Sequence, residues 1–226
     1  MPRPSLQHKA PRGRIKRHGL VEEVYNLIRA DIMSLRIPPD SRILVDNLVR
    51  DLGVSQTPIR EALSMLEGVG LVSKKHFIGY CTAPTLNRKQ FEELFEIRLL
   101  IEPAGASYAA QRMTDAELED LAHHAAAMEP GVTRASYDLF ADQDAEFHSR
   151  LAAGSGNSLI AEALGRLHTH MHIFRLRFHR EIATEAASEH ALLVQALQQR
   201  DADAAGAAMR EHIEKSYNRL VQFTIG

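Results

Sequence analysis

The chain has 226 residues, a formal charge of −2, 45% hydrophobic and 25% charged residues, proportions that fit a soluble globular protein and exclude a disordered or fibrous one. Its one cysteine, Cys81, rules out an intramolecular disulfide and gives no sign of an oxidising compartment, so the cytoplasm is the simpler address. No apolar run approaches the ~20 residues of a membrane-spanning helix.

Charge is unevenly spread. Residues 1–86 hold 13 Lys and Arg against 8 Asp and Glu, and the remainder holds 14 against 21, the footprint of a chain whose amino-terminal part alone meets a polyanion. Residues 1–17 are a basic flexible tail with Arg3, Lys9, Arg12, Arg14, Lys16 and Arg17 and no acid; no apolar stretch of a secretory signal follows it. From Leu20, the spacing of Val21, Val24, Leu27, Ile28, Ile32 and Leu35 predicts a helix that stops before "IPPD" at 37–40. A short helix is expected over Val45 to Leu52, closed by Gly53. The next helix should begin at Gln56, with the Ser55 hydroxyl as its N-cap and Pro58 tolerated in its first turn. Ile59, Ala62, Leu63 and Leu66 share one face of it, and Gln56, Thr57, Arg60 and Ser64 the other. A short helix, a glycine turn and a second helix with a polar exposed start match a helix-turn-helix, whose second helix enters the major groove. There Arg60 suits guanine O6/N7 and Gln56 suits adenine, while Thr57 and the helix start suit phosphate. After Gly70, "LVSKKHFIGYCT" reads as a small hairpin with Lys74, Lys75 and His76 near its tip. There they contact DNA or merely face solvent.

The run "GVSQTPIREALSMLEGVGLV" followed by that hairpin resembles the winged helix-turn-helix of GntR-type bacterial transcription regulators over residues 18–84. "GVS", "TP", "REAL" and "GLV" occur in the family's order and spacing. Gln56 stands where the family usually has arginine, and Asp40 where it usually has a turn glycine.

Beyond "APT" at 83–85 the composition is helical, with predicted segments at 87–110, 115–129, 135–153, 157–180, 185–200 and 202–222. The fold class is therefore mainly α: a winged helix-turn-helix with a small β-hairpin wing, then an all-α antiparallel bundle of about six helices at 85–226. Ile160, Leu164, Leu167, Met171, Phe174 and Phe178 make a core stripe. His168, His172, Arg175 and His179 run beside it as a cavity wall or a solvated edge. Asp144 and His148, spaced i,i+4, share a helix face and could reach one ion, although an isolated pair of this kind is more often a surface contact. His190 and His212 lie on later helices, and ligands from facing helices can converge in a bundle core.

"DAEFHSRLAAGSGN" and "SEHALLVQALQQRDADAAGAAMREHI" resemble the FCD-type helical effector domain of the FadR-like GntR subfamily. The resemblance implies a divalent metal held by Asp144, His148, His190 and His212, a donor set suited to Zn²⁺, Ni²⁺ or a similar ion. A small organic acid effector would meet the open metal positions and Arg98 of "EIRLLIE"; Arg98 could instead serve only as the ion-pair partner of Glu102. Arg175 is a second effector candidate. The function implied is a cytoplasmic, ligand-responsive regulator, a homodimer reading a palindromic double-stranded DNA operator, with repression relieved by effector the commoner arrangement. A regulator that senses the metal itself is the alternative. A metal-dependent enzyme is a third reading, but no spacing compels a general acid or base.

Overall fold

The computed structural model describes residues 17–128, 134–167 and 183–224; the basic tail up to residue 16, and Met171, Phe174 and Phe178 of the expected core stripe, lie outside them. Helix α1 (Arg17–Met33) buries Val24, Ile28 and Ile32 against α3 (Gln56–Gly68), but Leu20 and Leu27 are exposed. The helical period that includes Leu27 is real, yet the arc of α1 buried here is narrower than the apolar stripe. Leu35 was expected in this helix and instead follows it with a left-handed φ of 58°. Asp40 also takes a left-handed φ, 55°, where the resembled family places glycine; Asp is among the few other residues that tolerate this region.

Helix α2 (Val45–Leu52) ends at Gly53 with φ 65° and its N–H bonded to the Val49 carbonyl. Helix α3 begins at Gln56 as expected, but Ser55 makes no side-chain capping hydrogen bond. A cap hydroxyl accepts from the N2 or N3 amide, and N3 here is Pro58, which has none. The face formed by Ile59, Ala62, Leu63 and Leu66 is fully buried, each large side chain contributing about 1.5–3 kcal/mol of transfer free energy.

The wing is larger than a hairpin. Strands β2 (Val72–Lys75) and β3 (Gly79–Thr82) pair antiparallel as expected, and β1 (Arg42–Ile43) adds to β3 in the order β1-β3-β2, Arg42 opposite Cys81 and Ile43 opposite Tyr80. Two residues are too few to show an alternation. The Thr82 hydroxyl fixes this edge, donating to the Pro38 carbonyl at 2.6 Å and accepting from the Ser41 amide at 2.8 Å.

The remainder is helical: α4 (Arg88–Arg112), α5 (Asp115–Ala126), α6 (Arg134–Gly154), α7 (158–167 among the described residues), α8 (Ala183–Gln198) and α9 (Ala202–Leu220), with a closing 3₁₀ turn Val221–Phe223. Asn87 with Gln90 and Thr114 with Glu117 form reciprocal capping boxes at the starts of α4 and α5, and Asp201 caps α9, which explains why these starts were sharply legible. Among the described residues, buried apolar side chains gather into two clusters, one drawn from residues 24–80 and one from residues 91–220.

Helices α4 and α9 cross closely at Gly206. A Cβ built on Gly206 would lie 2.5 Å from Ser107 Oγ and 3.3 Å from the Pro103 carbonyl oxygen, and that Ser107 hydroxyl already donates to the Ala202 carbonyl at 2.8 Å. Gly206→Val is therefore expected to destabilise the protein by about 1–3 kcal/mol, because overpacking outweighs relief of the glycine helix penalty of at most about 1 kcal/mol. Urea unfolding measures it; a midpoint at or above that of the unaltered chain would mean the helices separate freely here. Among the described residues, no helix is long and apolar enough to cross a membrane.

Candidate functional site

Along α4 a buried stripe runs through Phe91, Leu94, Phe95, Ala106 and Ala109, interrupted by a buried Arg98 and Glu102. Arg98 Nε donates to Glu102 Oε1 at 2.5 Å, with both side chains at most 2% exposed. The guanidinium also lies over the Phe95 ring, 5.0 Å from its centroid. Of the two readings the sequence left open for Arg98, the ion pair with Glu102 is present. Its Nη1 is buried and has no hydrogen-bond partner among the described residues.

Facing this pair is a polar knot drawn from three further helices. Asp144 and His148 on α6, His190 on α8 and His212 on α9 are all buried, none more than 4% exposed. One ring nitrogen from each of His148, His190 and His212 lies within 4.8 Å of the others. His190 Nε2 is 3.5 Å from Asp144 Oδ1, and His148 Nε2 is 4.0 Å from Asp144 Oδ2. Glu102 Oε2 closes the ring, 3.4 Å from His148 Nδ1. Donors sharing one zinc ion cannot be more than about 4.2 Å apart, twice the Zn–N distance. Tetrahedral donors lie closer still, about 3.3 Å apart, so the three rings must draw together to close on one ion. Three imidazoles and a carboxylate fit a borderline divalent ion. Burying so many polar groups in an apolar bundle is unfavourable unless each is satisfied or a ligand repays it.

Sequence reasoning missed the layer behind His212. Glu189 Oε2 accepts from His212 Nδ1 at 2.8 Å, and Arg219 grips both oxygens of the same carboxylate, Nη1 to Oε1 at 2.6 Å and Nη2 to Oε2 at 2.9 Å. Arg219 Nη1 also reaches Glu185 at 3.1 Å. Burial opposes ionisation of Glu189 more than any other single influence, yet the hydrogen bonds from His212 and Arg219 together prevail and lower its pKa to about 2. Seven residues separate His212 from Arg219, two turns on one helix face, and that spacing was the available signal.

A small cavity of about 10 Å³ opens beside the knot, lined by Glu102, Gly105, Ala106, His148, Leu164 and Met209, space for about one water molecule. Arg175, with His168, His172 and His179, lies outside the described residues.

On the other domain, Gln56, Thr57 and Arg60 are exposed on α3. Gln56 is held rather than loose: its Nε2 donates to Asp46 Oδ1 at 2.8 Å, and its Oε1 accepts from Arg60 Nη2 at 3.2 Å. Lys74, Lys75 and His76 are exposed at the wing. Lys75 Nζ pairs with Asp40 at 2.8 Å, a contact that raises its pKa. Lys74 stands 5.7 Å over the Tyr80 ring. His76 packs edge-on against Phe77, their ring centroids 3.8 Å apart, and Phe77 is 96% exposed.

Comparison with known proteins completes the picture. The pattern of the bacterial regulatory proteins of the gntR family matches residues 20–80, and that of the FCD domain matches residues 93–215. The Nta operon transcriptional regulator of Aminobacter aminovorans is 28% identical over 199 residues, 86% of this chain and 91% of that one. The HTH-type transcriptional regulator LutR of Bacillus subtilis is 31% identical over 144 residues, 58% of this chain and 65% of its own length. Among solved structures, Escherichia coli McbR/YncC superposes with a TM-score of 0.74 at 22% identity, covering 90% of this chain and 98% of that chain. A GntR-type regulator from Rhodococcus sp. RHA1 gives 0.72 at 18% identity, with the same coverage. At such identities the structural likeness speaks for the fold alone.

Proposed function

Since the chain belongs to the gntR family of bacterial regulatory proteins and carries an FCD domain, a DNA-binding regulator and not an enzyme, we propose that it is a cytoplasmic repressor whose operator binding is controlled by a small carboxylate meeting a divalent metal. The proposal assigns residues 18–84 to the operator and 85–226 to sensing and homodimerisation. Asp144, His148, His190 and His212 hold the ion, zinc or nickel by donor type. Arg98 receives the effector carboxylate, with Arg175 a second candidate. The observation that carries this reading is the buried convergence of three imidazoles and Asp144 inside the helical bundle.

The metal supplies electrostatic attraction for an anion when bound; the chain's own residues do the rest. Arg98 Nη1 is a buried donor beside the knot that a carboxylate can take while Glu102 keeps its bond to Nε. Among the described residues, the cavity beside the knot holds about one water molecule, so a carboxylate seated there displaces its lining side chains. A ligand that fits one helix arrangement and not the other has the differential affinity that coupling requires. At the operator, Arg60 reads a base edge, Gln56 and Thr57 support it, and Lys74, Lys75 and His76 follow the backbone or minor groove.

The test uses the full chain and DNA from its own promoter. We expect about one divalent ion per chain by elemental analysis. Small carboxylates should shift operator affinity by roughly 5- to 150-fold in metal-loaded protein and not in metal-stripped protein. A shift produced by metal alone would favour the metal sensor. No shift under any of these conditions would defeat both.

A further inference from the structure

We infer that Glu189 and Arg219 are a positioning pair for the metal centre: Arg219 clamps the Glu189 carboxylate, which in turn fixes His212 in the tautomer that presents Nε2 to His148 and His190. This rests on reading the histidine knot as a metal site and extends it to residues not themselves ligands. The geometry leaves little choice of hydrogen. A carboxylate only accepts and a guanidinium only donates, so at 2.8 Å from Glu189 Oε2 the hydrogen belongs to His212 Nδ1. Neutral imidazole then carries its lone pair on Nε2, the opposite edge of the ring.

His212 is completely buried and its ring lies 4.7 Å from that of His190 and 5.1 Å from that of His148. Rotation about its side-chain bonds is the motion that would misplace Nε2, and the bond to Glu189 resists it. Glu189 is itself immobilised by two near-parallel bonds from Arg219, the bidentate geometry that gives most directional control. Two contacts of the inner ring, His148 to Glu102 at 3.4 Å and His190 to Asp144 at 3.5 Å, are longer. The local sequence makes the arrangement possible. Glu189 and His190 are adjacent on α8, so this helix gives one side chain to the inner ring and the next to the layer behind it. On α9, His212 and Arg219 share a face, so the same carboxylate bridges α8 to α9 twice.

Outer partners of metal-bound histidines commonly contribute 10- to 100-fold in affinity, by orienting the ring and raising its basicity. Zn²⁺ binding to metal-stripped full-length protein, followed by competition with a chelating dye, should therefore weaken about 10- to 100-fold in Glu189→Ala. Arg219→Lys, which keeps the charge but loses the fork, should fall between it and the unaltered chain. A purely structural role would not change which nitrogen bears hydrogen, so the second readout is the long-range ¹H–¹⁵N spectrum of metal-free protein. His212 should be the Nδ1–H tautomer in the natural chain and a mixture in Glu189→Ala. If Glu189→Ala does not fold, Arg219→Gln carries both measurements. Unchanged zinc affinity beside a natural chain that binds zinc, or an Nε2–H tautomer at His212, overturns the inference alone. A natural chain that takes up no divalent metal overturns the underlying reading and the inference with it.

Discussion

Full-length His190→Ala protein is expected to bind zinc roughly 10²- to 10³-fold more weakly than the natural chain and to lose its response to carboxylates. The estimate comes from sharing the roughly 10–16 kcal/mol of a structural zinc site among four ligands, about 2.5–4 kcal/mol each. His190 suits the experiment because it stands at the crowded centre: fully buried, 3.5 Å from Asp144, its ring 4.5 Å from Phe147 and 4.7 Å from His212. A stability measurement separates loss of a ligand from loss of the fold. Metal at a hundred times its dissociation constant stabilises the natural chain by about 2.7 kcal/mol, roughly 5–10 °C in Tm for a chain of this size. His190→Ala should show no such shift while keeping its helical circular dichroism. A variant that binds metal with unaltered stoichiometry and shows the full thermal shift would remove His190 from the ligand set.

The inner half of this site was legible because its signals are local or strictly ordered. Asp144 and His148 are one turn apart, and the "EH" and final "H" of the FCD resemblance fall in sequence. Glu189 and Arg219 were not legible in the same way. Glu189 touches His212 across 23 residues and Arg219 across 30, and no periodicity records which acid a helix turns toward its neighbour. Arg98 illustrates the same limit from the other side. Its i,i+4 spacing to Glu102 announced an ion pair, while the approach of that pair to His148 depends on how α4 packs on α6.

In the amino-terminal domain the balance is similar. Helix α3 could be placed to the residue, since Ser55, Pro58 and the apolar face beginning at Ile59 agree on its start. What failed was finer: the Ser55 hydroxyl bond, which loses one of its two possible amide donors to Pro58, and strand β1, which exists only because β3 offers it an edge. Leu27 belongs to the helical period that predicted α1 yet stays exposed, because apolar periodicity marks what could be buried and tertiary packing decides how much is.

Arg60→Ala is expected to weaken operator binding by about 1–3 kcal/mol per half-site, and by roughly 30- to 10⁴-fold when a dimer loses the contact in both half-sites. The structure gives this arginine an unusual support. Asp46 can only accept, so it turns the Gln56 amide with its nitrogen toward α2 and its oxygen toward Arg60, and that oxygen accepts from Nη2. The residue that departs from the family's usual arginine thus holds the next arginine along the helix, where the sequence alone suggested that Gln56 reads adenine. Arg60 is exposed, so its removal leaves the buried face of α3 untouched and should alter neither folding nor zinc uptake. Fluorescence anisotropy with operator DNA and with scrambled DNA, each over a range of salt, distinguishes the possibilities. Base reading predicts a large loss on the operator and a small one on scrambled DNA, whereas a phosphate contact lowers both alike and reduces the salt slope by about one. Equal losses would move Arg60 from the base edge to the backbone and leave sequence selection to other residues of α3 and the wing.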